Sequence, residues 1–588
     1  MSRYLAFMWP RASDEAEARV ADWRQRLTAC DHYTCAYRRP GLEVWTGPQR
    51  MPVSAPDPVG PVLIGDLFDC RTAEASFDAG ELRGSPVAVA RRLATDAWGG
   101  YVALLPDGGD GEWWAFRDPS GGLPALSWRL GEIAAVADDI VALPPGVAPA
   151  ELSLDWSAIT EVLRRPYVTH HMSLLYGYTP ITPGDALPLA AGRASIAVWR
   201  PRDFADTTPD LDHAALRETV RSVVGSLASV ESGVLLEVSG GFDSSVVASA
   251  LGEAGQAHRV VEGVHRYSQR PEGDERPWAR AVCEARGLRL SCVRQSHEPL
   301  AEADLSSLSR LAGPAFAGLD PPQDRDMAAR VRQTGATAIF GGHGGDAVFF
   351  QMPSAAVVGD LVRSRGLSGL RDPMTANVAR WLRRSVWQVV HEALRSSDEA
   401  EGAGPWSRFW GERARDDHRP PPHPWLRDLD TLGPGKRLQI LALVGCLENW
   451  SRSHRGQAAR MVQPLLAQPV LEACLGLPVW RLLDGHRDRA FARDAFAPWL
   501  PPANATRRAK GALSVLYAKR TAAGLPFLRE YLMDGVLVDA GLLDRQALDV
   551  ALDVDNLMWE GHGLRLGWAA MLEGWVRYWQ TRAPDRRA

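Results

Sequence analysis

The stretch Val234-Leu235-Leu236-Glu237-Val238-Ser239-Gly240-Gly241-Phe242-Asp243-Ser244-Ser245 decides the fold of this chain. Its apolar first half predicts a short buried strand, and residues 246–251 after it predict a helix. The glycines between them let the backbone turn sharply, because they carry no Cβ. The free amide groups of the first helical turn then point outward at the positive end of the helix dipole. The stretch therefore predicts a strand, a tight turn and a helix that together bind an anion.

The polar side chains of this turn indicate which anion it binds. Ser244 and Ser245 add hydroxyl donors, and the Asp243 carboxylate is tolerated beside a phosphate only when a divalent cation joins the two. The spacing differs from the GxxxxGK[ST] loop, which occurs nowhere in the chain. SGGFDSS resembles the pyrophosphate loop of the ATP pyrophosphatases, which split ATP between its α and β phosphates and activate a carboxylate or carbonyl group as an adenylate; the alternative is an ordinary glycine-rich turn. By this resemblance, the ATP-binding residues are Ser239, Gly240, Gly241, Asp243, Ser244 and Ser245.

Length and composition are those of a globular protein with two or more domains. The chain has 588 residues, of which 46% are hydrophobic and 23% charged, and its formal net charge is −5. The mild acidity and the lack of lysine or arginine tracts argue against nucleic acid as a partner. We find neither a signal peptide nor an apolar run long enough to span a membrane, and therefore expect a cytoplasmic protein without a membrane partner. The scattered cysteines form no CxxC pair, which is typical of reduced thiols.

Two patterns divide the chain. Residues 1–205 contain short apolar runs separated by glycine, proline and aspartate, which predict antiparallel strands. In residues 206–588, strand-like runs alternate with helical ones up to Phe340, which predicts a doubly wound parallel sheet whose ligands bind beyond the carboxyl ends of the strands. The remainder is helical, and a polar, proline-rich stretch, 396–424, interrupts it. We interpret that stretch as a mobile surface loop, either a lid or a loop without function.

The N-terminal part carries a recognisable sequence of its own. Arg117-Asp118-Pro119-Ser120-Gly121-Gly122-Leu123-Pro124 resembles the RDPxGxxPL signature of class II glutamine amidotransferases. In that family the nucleophile is a cysteine directly after the initiator methionine, which acts through its own free α-amine. This chain has Ser2 there, and Cys30 and Cys35 are too far along the chain to replace it. We therefore expect residues 1–205 to be a degenerate amidotransferase-like domain that makes no ammonia, so that the attacking amine has another source.

A second glycine-rich loop, Phe340-Gly341-Gly342-His343-Gly344-Gly345-Asp346, follows another strand-like run. It resembles the SGEGSDE loop of asparagine synthetases. The resemblance implies that Gly341 and Gly342 bind the nucleotide and that Asp346 is a ligand of Mg²⁺ together with Asp243. Magnesium commonly takes one or two carboxylates and completes its coordination with phosphate and water, so such a pair is sufficient.

Two residues are candidates for catalysis at the reacting amine. His343 stands where asparagine synthetases have glutamate, and it either titrates near neutrality and helps to deprotonate the amine or donates a hydrogen bond that holds the loop. Glu275 lies in Gly273-Asp274-Glu275-Arg276, which resembles the acidic segment before the equivalent helix of β-lactam synthetase and asparagine synthetase. Glu275 either faces the reacting amine or caps the helix. The sequence leaves both pairs of alternatives open.

The remaining site residues are expected around the nucleotide. Arg507-Arg508-Ala509-Lys510-Gly511 resembles the family's late RxK segment, whose lysine neutralises charge on the α-phosphate as pyrophosphate leaves. We therefore assign catalytic roles to Arg508 and Lys510. Lysine is rare beside arginine in this chain, which favours a specific role for Lys510. Val264, in the second predicted strand, is expected to border the nucleotide.

The helical part contains residues 461–472, from which the motif QPLLxQPVxExCLxxP runs on to Pro478, and residues 488–493, with the sequence DRxxAR. Together with GGHGGD and Ser2, these stretches resemble the lasso peptide cyclases of the asparagine synthetase and β-lactam synthetase family. The resemblance covers most of the chain and implies a macrolactam synthetase that uses ATP and Mg²⁺. The substrate it implies is a ribosomal precursor peptide, whose Asp or Glu side chain is adenylated and then attacked by the peptide's own α-amine, with release of AMP and pyrophosphate.

The same resemblance implies a leader-binding protein and a leader protease as partners. Four C-terminal tryptophans at near-helical spacing either line a pocket for the peptide or form a buried helix face: Trp559, Trp568, Trp575 and Trp579. Other functions remain open, namely a β-lactam synthetase-like enzyme, an ammonia-dependent asparagine synthetase-like enzyme and a catalytically inactive binding scaffold. The presence of Asp243, Asp346 and Lys510 argues against the scaffold.

Overall fold

The computed structural model describes most of the chain between Arg3 and Ala583. Excepted within that span are residues 31, 71–76, 109–111, 142, 167–170, 269–273, 316–319, 353, 396–407, 416–421, 448–452, 485–486, 508–518 and 561–562. The predicted features that fall outside this description are Ser2, Arg508, Lys510 and, within the predicted loop, residues 396–407 and 416–421; the side chain of Trp559 is likewise not described.

The N-terminal part is built on two six-stranded antiparallel sheets. One has the strand order β12-β8-β9-β1-β3-β2 and the other β14-β13-β7-β6-β5-β4, with β10 and β11 forming a separate pair. The strands are β1 (Tyr4–Met8), β2 (Thr34–Arg39), β3 (Leu42–Thr46), β4 (Val53–Ser54), β5 (Val62–Asp69), β6 (Ala97–Pro106), β7 (Trp113–Arg117), β8 (Leu126–Leu130), β9 (Ile133–Ala137), β10 (Ser153–Leu154), β11 (Leu175–Tyr176), β12 (Thr179–Pro180), β13 (Asp185–Pro188) and β14 (Ile196–Ala197).

Because side chains alternate between the two faces of each strand, the N-terminal part has one core between its sheets and further cores on their outer faces. Successive side chains of a strand point to opposite faces, so Tyr4 and Ala6 of β1 pack in one core with Val62 and Ile64 of β5, between the two sheets. The intervening Leu5 belongs to a different core on the outer face, which helices cover. These helices are α1 (Asp14–Ala29), α2 (Pro86–Asp96) and α3 (Trp156–Arg164), with α1 and α3 against the first sheet and α2 against the second.

The amidotransferase-like signature forms a structural turn. The Arg117 guanidinium donates to three backbone carbonyls, those of Gly121, Leu123 and Ile181. Asp118 is fully buried and its carboxylate accepts hydrogen bonds from backbone amides, including that of Tyr101 at 3.2 Å. Both charged side chains are therefore occupied in holding the loop after β7 against its neighbours.

A five-stranded parallel sheet forms the centre of the second part, in the order β17-β16-β15-β18-β19. Its strands are β15 (Val234–Glu237), β16 (Val260–Tyr267), β17 (Leu290–Arg294), β18 (Ala338–Phe340) and β19 (Arg460–Val462). The helices interleaved with the first four strands are α4 (His213–Ser229), α5 (Phe242–Glu253), α6 (Arg276–Ala285), α7 (Glu302–Leu308), α8 (Pro321–Thr334) and α9 (Gly345–Val348). Helices α5 and α6 pack on one face of the sheet and α8 on the other, as in a doubly wound fold.

The rest of the chain is helical, which confirms the predicted fold class of a β-rich N-terminal part, a parallel α/β sheet and a helical C-terminal part. Within the described ranges, none of the helices combines the length and apolar character needed to cross a bilayer. The helices that follow α9 are α10 (Ala356–Arg365), α11 (Pro373–Leu382), α12 (Val386–Arg395), α13 (Glu412–Arg415), α14 (Pro434–Cys446), α15 (His454–Ala458), α16 (Gln468–Gly476), α17 (Val479–Leu482), α18 (Ala490–Phe496), α19 (Pro502–Ala505), α20 (Leu525–Met533), α21 (Val536–Asp539), α22 (Arg545–Ala551), α23 (Val554–Glu560) and α24 (Gly563–Gln580).

One strand differs from expectation. Residues 460–462, which fall in the part predicted to be helical, form the edge strand β19 beside β18, so the helical prediction is wrong there. Of the stretch 396–424, residues 396–407 and 416–421 lie outside the description, and the mobile loop stays a prediction; among the described residues, Phe409, Trp410 and His423 are at most 8% exposed. The amide of Gly411 also donates to the carbonyl of Leu542 at 2.8 Å, which ties this segment to the C-terminal helices.

The C-terminal tryptophans that the structure describes in full are core residues. Trp568, Trp575 and Trp579 are at most 5% exposed and belong to the same apolar cluster as the outer face of β1. The indole nitrogens of Trp575 and Trp579 both donate to the carbonyl of Leu311. Helix α24 therefore joins the C-terminal part to the N-terminal part through a shared core.

We expect Trp575→Ala to lower the free energy of unfolding by about 3–5 kcal/mol, because it empties a fully buried site and removes the hydrogen bond to Leu311. Trp387→Ala is the matched control, since Trp387 is 80% exposed, and its effect should stay within about 0.5 kcal/mol. Urea unfolding followed by circular dichroism measures both. Equal shifts for the two variants would contradict the assignment of Trp575 to the core.

Candidate functional site

The two glycine-rich loops meet at one point of the parallel sheet. The first follows β15 and the second follows β18, and these two strands are neighbours. From β15 the chain runs through β16 to β17 on one side, and it later continues with β18 and β19 on the other. The order of the strands therefore reverses between β15 and β18, which is where open α/β sheets bind their ligands. The prediction that both loops lie at strand ends is confirmed.

The first loop is fixed by its own serines and by a glycine with positive φ. Gly240 has φ +77°, and a Cβ there would lie 2.9 Å from the carbonyl oxygen of Glu275. Ser239 Oγ lies 2.9 Å from Ser244 Oγ, and Ser245 Oγ donates to the carbonyl of Gly241 at 2.8 Å. Gly241 is the N-cap of α5 without a side-chain capping bond. The hydroxyls thus shape the loop, and the helix start faces the space beyond the strands.

The second loop presses directly on the first, and only glycines permit this approach. A Cβ on Gly342 would lie 2.5 Å from the amide nitrogen of Ser244, and a Cβ on Gly345 would lie 2.5 Å from Cγ of Asp243. Contacts below about 3 Å are not tolerated, so each position excludes any other residue in this geometry. Gly341 donates its amide to the carbonyl of Val462, which fixes the loop to β19. The close packing brings Asp346 to the first loop.

The carboxylate pair, Asp243 and Asp346, shares one buried cation. Nη1 of Arg489 lies 2.8 Å from Oδ2 of Asp243 and 2.5 Å from Oδ1 of Asp346. The other terminal nitrogen, Nη2, contacts Asp488 at 2.7 Å. Arg489 itself is only 4% exposed. The two carboxylates that we predicted as metal ligands are therefore close together, with a guanidinium between them.

The residues present fit Mg²⁺. Both side chains offer carboxylate oxygens, the donor type that this ion prefers, and they already accept one positive charge between them. Among the residues that the structure describes, no group of three or more His, Cys, Asp or Glu is placed to hold a metal. Two carboxylates are thus what the described protein would supply to Mg²⁺ here, and phosphate and water oxygens would complete the coordination.

His343 lies between the two glycine pairs of the second loop, and its environment disfavours titration near neutrality. Desolvation lowers the pKa of its imidazole to about 4, against the opposing effect of Asp346 and a hydrogen bond to the Cys446 backbone. Its backbone amide is 3.3 Å from Oε1 of Gln463, at the end of β19. Of the two alternatives for His343, the structure therefore favours a neutral ring that holds the loop.

Glu275 contacts an arginine of the late basic segment. It is the N-cap residue of α6 by position, but its side chain makes no capping bond and pairs with Arg507. Arg507 also donates to the carbonyl of Gly240 at 2.7 Å and lies over the ring of Trp278, 4.2 Å from its centroid. Arg507 therefore fixes the start of the RxK segment to the first loop, although Arg508 and Lys510 lie outside the described residues.

Val264 and His265 lie farther inside the sheet than the two loops. Val264 is paired with Glu237, and its side chain is 4% exposed in the apolar cluster beneath α8. Its carbonyl accepts the amide of Val238 at 3.0 Å. His265 is fully buried, and its Nδ1 lies 2.8 Å from the carbonyl of Val238. The structure brings neither side chain into contact with the carboxylate pair, and both support the strand end that precedes the first loop.

Sequence reasoning missed several residues that complete the site. Arg489 and Arg493 were quoted only as part of a pattern, yet the guanidinium of each packs over the ring of Phe242 in the first loop. Asn504 is 1% exposed and donates to Ser245 Oγ at 3.1 Å. Glu237, at the end of β15, forms an ion pair with Arg455 at 2.6 Å. The DRxxAR pattern was the available signal, but nothing in it showed that its first arginine meets two distant aspartates.

A separate cavity of about 50 Å³ lies between the N-terminal part and the parallel sheet. Asp66 on its wall pairs with Arg50 at 2.8 Å and with Arg460 of β19, and Arg460 also contacts Glu231 at 2.7 Å. Arg3, the first residue described, also borders the cavity. A space of this size accommodates a few water molecules. Its charged groups are occupied in joining the two parts of the chain.

The chain resembles a known protein family. The asparagine synthase family model matches residues 213–577, which is more than half of the chain. No curated protein matches the chain at a significant level.

Among solved structures, the chain matches glutamine phosphoribosylpyrophosphate (PRPP) amidotransferase from B. subtilis, complexed with ADP and GMP, at 14% identity. The match covers 58% of this chain and 81% of that chain, but the TM-score is 0.20, so we transfer nothing from it. The family match, in contrast, spans both loops, Arg489 and most of the helical part. The chain belongs to the asparagine synthase family of ATP-dependent amide-forming ligases.

Proposed function

We propose that the protein is a macrolactam synthetase that joins a side-chain carboxylate of a ribosomal precursor peptide to the α-amine of the same peptide. ATP would be converted to AMP and pyrophosphate, and the product would contain an isopeptide bond. The observation that carries this proposal is the contact between the two glycine-rich loops at the point where the strand order reverses. There Asp243 and Asp346 both form ion pairs with the guanidinium of Arg489. This arrangement suits a nucleotide whose phosphates lie across both loops.

In the first step, an oxygen of the substrate carboxylate would attack the α-phosphorus of ATP, and pyrophosphate would leave. The start of α5 and the serine hydroxyls of the first loop would bind the β and γ phosphates of ATP, which leave as pyrophosphate. They offer hydrogen-bond donors at the positive end of a helix. Bound to Asp243 and Asp346, Mg²⁺ would supply further positive charge to the phosphate oxygens. Ser239, Ser244 and Ser245 thus take a binding role rather than a chemical one.

Negative charge also develops at the α-phosphate as pyrophosphate leaves, and a cation there lowers the barrier. We assign this role to Lys510, assisted by Arg508. The supporting observation is Arg507, three residues before Lys510, which is fixed to Gly240 and Glu275. Glu275 then acts by positioning the basic segment.

In the second step, the α-amine of the peptide would attack the acyl carbon, AMP would leave and the amine would lose a proton. A terminal amine has a pKa near 8, so a useful fraction is nucleophilic at neutral pH without a strong base. This agrees with a neutral His343, whose pKa is lowered to about 4. The larger requirement is to hold the peptide amine next to the adenylate, because this positioning costs translational and rotational entropy. The protein surface around the two loops would provide it.

The source of the amine distinguishes this proposal from glutamine-dependent amide synthesis. The cavity between the two parts of the chain has a volume of about 50 Å³, and Arg50, Asp66 and Arg460 on its wall are bound to one another. We assign these ion pairs a role in joining the two parts of the chain and none in supplying ammonia. A peptide that carries its own amine needs no such supply, and a leader-binding protein and a leader protease would deliver it.

The direct test uses purified protein, ATP, Mg²⁺ and synthetic core peptides with Asp or Glu at the proposed ring position. We expect AMP and pyrophosphate together with a peptide product that is lighter by one water, measured by nucleotide chromatography and mass spectrometry. ATP–pyrophosphate exchange with the peptide should exceed exchange with free aspartate or a β-amino acid. The reverse order of exchange would favour an asparagine synthetase-like or β-lactam synthetase-like enzyme, and formation of ADP would refute the proposal.

Asp346→Ala should abolish pyrophosphate release, because it removes half of the carboxylate pair. We expect a loss of at least about 100-fold, in line with the removal of an essential charged group at a phosphoryl-transfer site. Asp549→Ala is the matched control, since Asp549 pairs with Arg529 in the C-terminal helices, far from the loops in the fold. Unchanged pyrophosphate release by Asp346→Ala would contradict the assignment.

Gly345→Ala should weaken ATP binding at least about tenfold, which corresponds to roughly 1.4 kcal/mol. The added methyl group would lie 2.5 Å from Cγ of Asp243 and would push the two loops apart. Gly313→Ala is the control, because nothing lies within 4 Å of a Cβ at that position. Equilibrium binding of a fluorescent ATP analogue measures both variants. Equal affinities would show that the close packing of the loops is dispensable for binding.

A further inference from the structure

We infer that Arg489 is a built-in counter-ion that keeps metal away from the carboxylate pair until nucleotide phosphate arrives with it. This inference goes beyond the proposed function and rests only on its assignment of Asp243 and Asp346 as metal ligands. It concerns the order in which metal and nucleotide bind at the site. Metal alone is excluded, whereas the metal–nucleotide complex is admitted.

The first step of the argument is the position of the guanidinium. A single nitrogen, Nη1, contacts Oδ2 of Asp243 at 2.8 Å and Oδ1 of Asp346 at 2.5 Å. A metal ion held by these two aspartates would lie beside the guanidinium, so guanidinium and metal compete for the negative charge of the same pair. The side chains of Arg489 and Asp243 are 5% and 12% exposed and that of Asp346 is 44% exposed, so solvent screens the competition little on the Asp243 side.

The second step is the local charge. Three carboxylates, those of Asp243, Asp346 and Asp488, face two guanidiniums, because Arg493 also contacts Asp488 at 3.0 Å. A divalent ion that entered alone would stand next to Arg489 and would meet its repulsion. The phosphates of ATP reverse this balance, because they carry enough negative charge for the metal and for the displaced guanidinium together.

The third step is the backbone. Arg489 has φ 52° and ψ 34°, a left-handed conformation directly before α18. A residue with a side chain adopts this conformation only at an energetic cost, and it persists where the surroundings determine it. The guanidinium also packs over the ring of Phe242, 5.4 Å from its centroid. The chain thus holds this arginine in a defined place beside the first loop.

The experiment measures metal binding without turnover. Mn²⁺ replaces Mg²⁺, and its binding to the full chain is followed by electron paramagnetic resonance in the absence of nucleotide. We expect weak binding to the wild type and at least about tenfold tighter binding to Arg489→Gln, because the competing charge is gone. Arg489→Lys keeps a cation near the pair and should remain within a few-fold of the wild type.

Two further variants locate the effect. In the double variant Arg489→Gln/Asp346→Asn the gain should disappear, since one carboxylate of the pair is lost. Arg493→Gln is the matched control, because Arg493 lies in the next turn and contacts Asp488 but neither member of the pair. It should bind Mn²⁺ as weakly as the wild type.

Tight Mn²⁺ binding by the nucleotide-free wild type would overturn the inference, as would a gain that survives in the double variant. If Arg489→Gln fails to fold, thermal unfolding of the wild type decides the question. Mn²⁺ alone should leave the melting temperature unchanged and Mn²⁺ with ATP should raise it, whereas a rise with Mn²⁺ alone refutes the exclusion. No readout here depends on peptide or on AMP, so a failure of the proposed function leaves the result interpretable.

Discussion

The close contact between the loops after β15 and β18 is the constraint on which the site depends. Two glycines, Gly342 and Gly345, let one loop lie against the backbone and the aspartate of the other, with no space left for a Cβ. Without that approach, Asp346 would not reach the cation that it shares with Asp243. The geometry of the carboxylates therefore follows from the absence of side chains at two neighbouring positions.

The remainder of the fold supports this contact from outside. Strand β19 extends the sheet beyond β18, and the Val462 carbonyl accepts the amide of Gly341. Arg460, on the same strand, joins the sheet to Asp66 of the N-terminal part. Strand β19 is thus one of the elements that connect the N-terminal part to the region of the second loop, and Gln468 of α16, which donates to the carbonyl of Ala94, is another contact. The N-terminal part therefore has a structural role beside the site.

Much of the architecture could be predicted from the sequence, because it depends on local patterns. The apolar run 234–237, the glycine turn and the following helix appear in the structure with nearly the expected bounds. The strands at 62–69, 97–106 and 113–117 likewise follow from short apolar runs between turn residues. Strand β19 escaped prediction because it has three residues, too few to show a period, and its place in the sheet depends on pairing with β18.

The two loops of the candidate site could be predicted from the sequence, but the ion pairs between its charged side chains could not. Asp243 and Asp346 stand out because glycines surround them, but the DRxxAR pattern that contains their common partner Arg489 lies far along the chain and shows nothing of that contact. The same limit applies to Glu275, where the sequence offered a helix cap or a residue facing the reacting amine and the structure shows a pair with Arg507. For His343, burial decides the pKa, and burial is a property of the folded chain. Long-range contacts of this kind require the structure.

Arginine in place of lysine at position 489 has a physical consequence for the site. A guanidinium presents several donors in a rigid plane, so that one nitrogen meets the carboxylate pair while another meets Asp488. An ammonium group is a single point of charge and serves fewer partners in defined directions. The side chain of Asp243 is 12% exposed and that of Asp346 is 44% exposed, and leaving the buried carboxylate without a cation is costly, so the fold places positive charge there before substrate arrives. The proposed phosphate chemistry would need metal at the same carboxylates, and a side chain that can give way would reconcile the two demands.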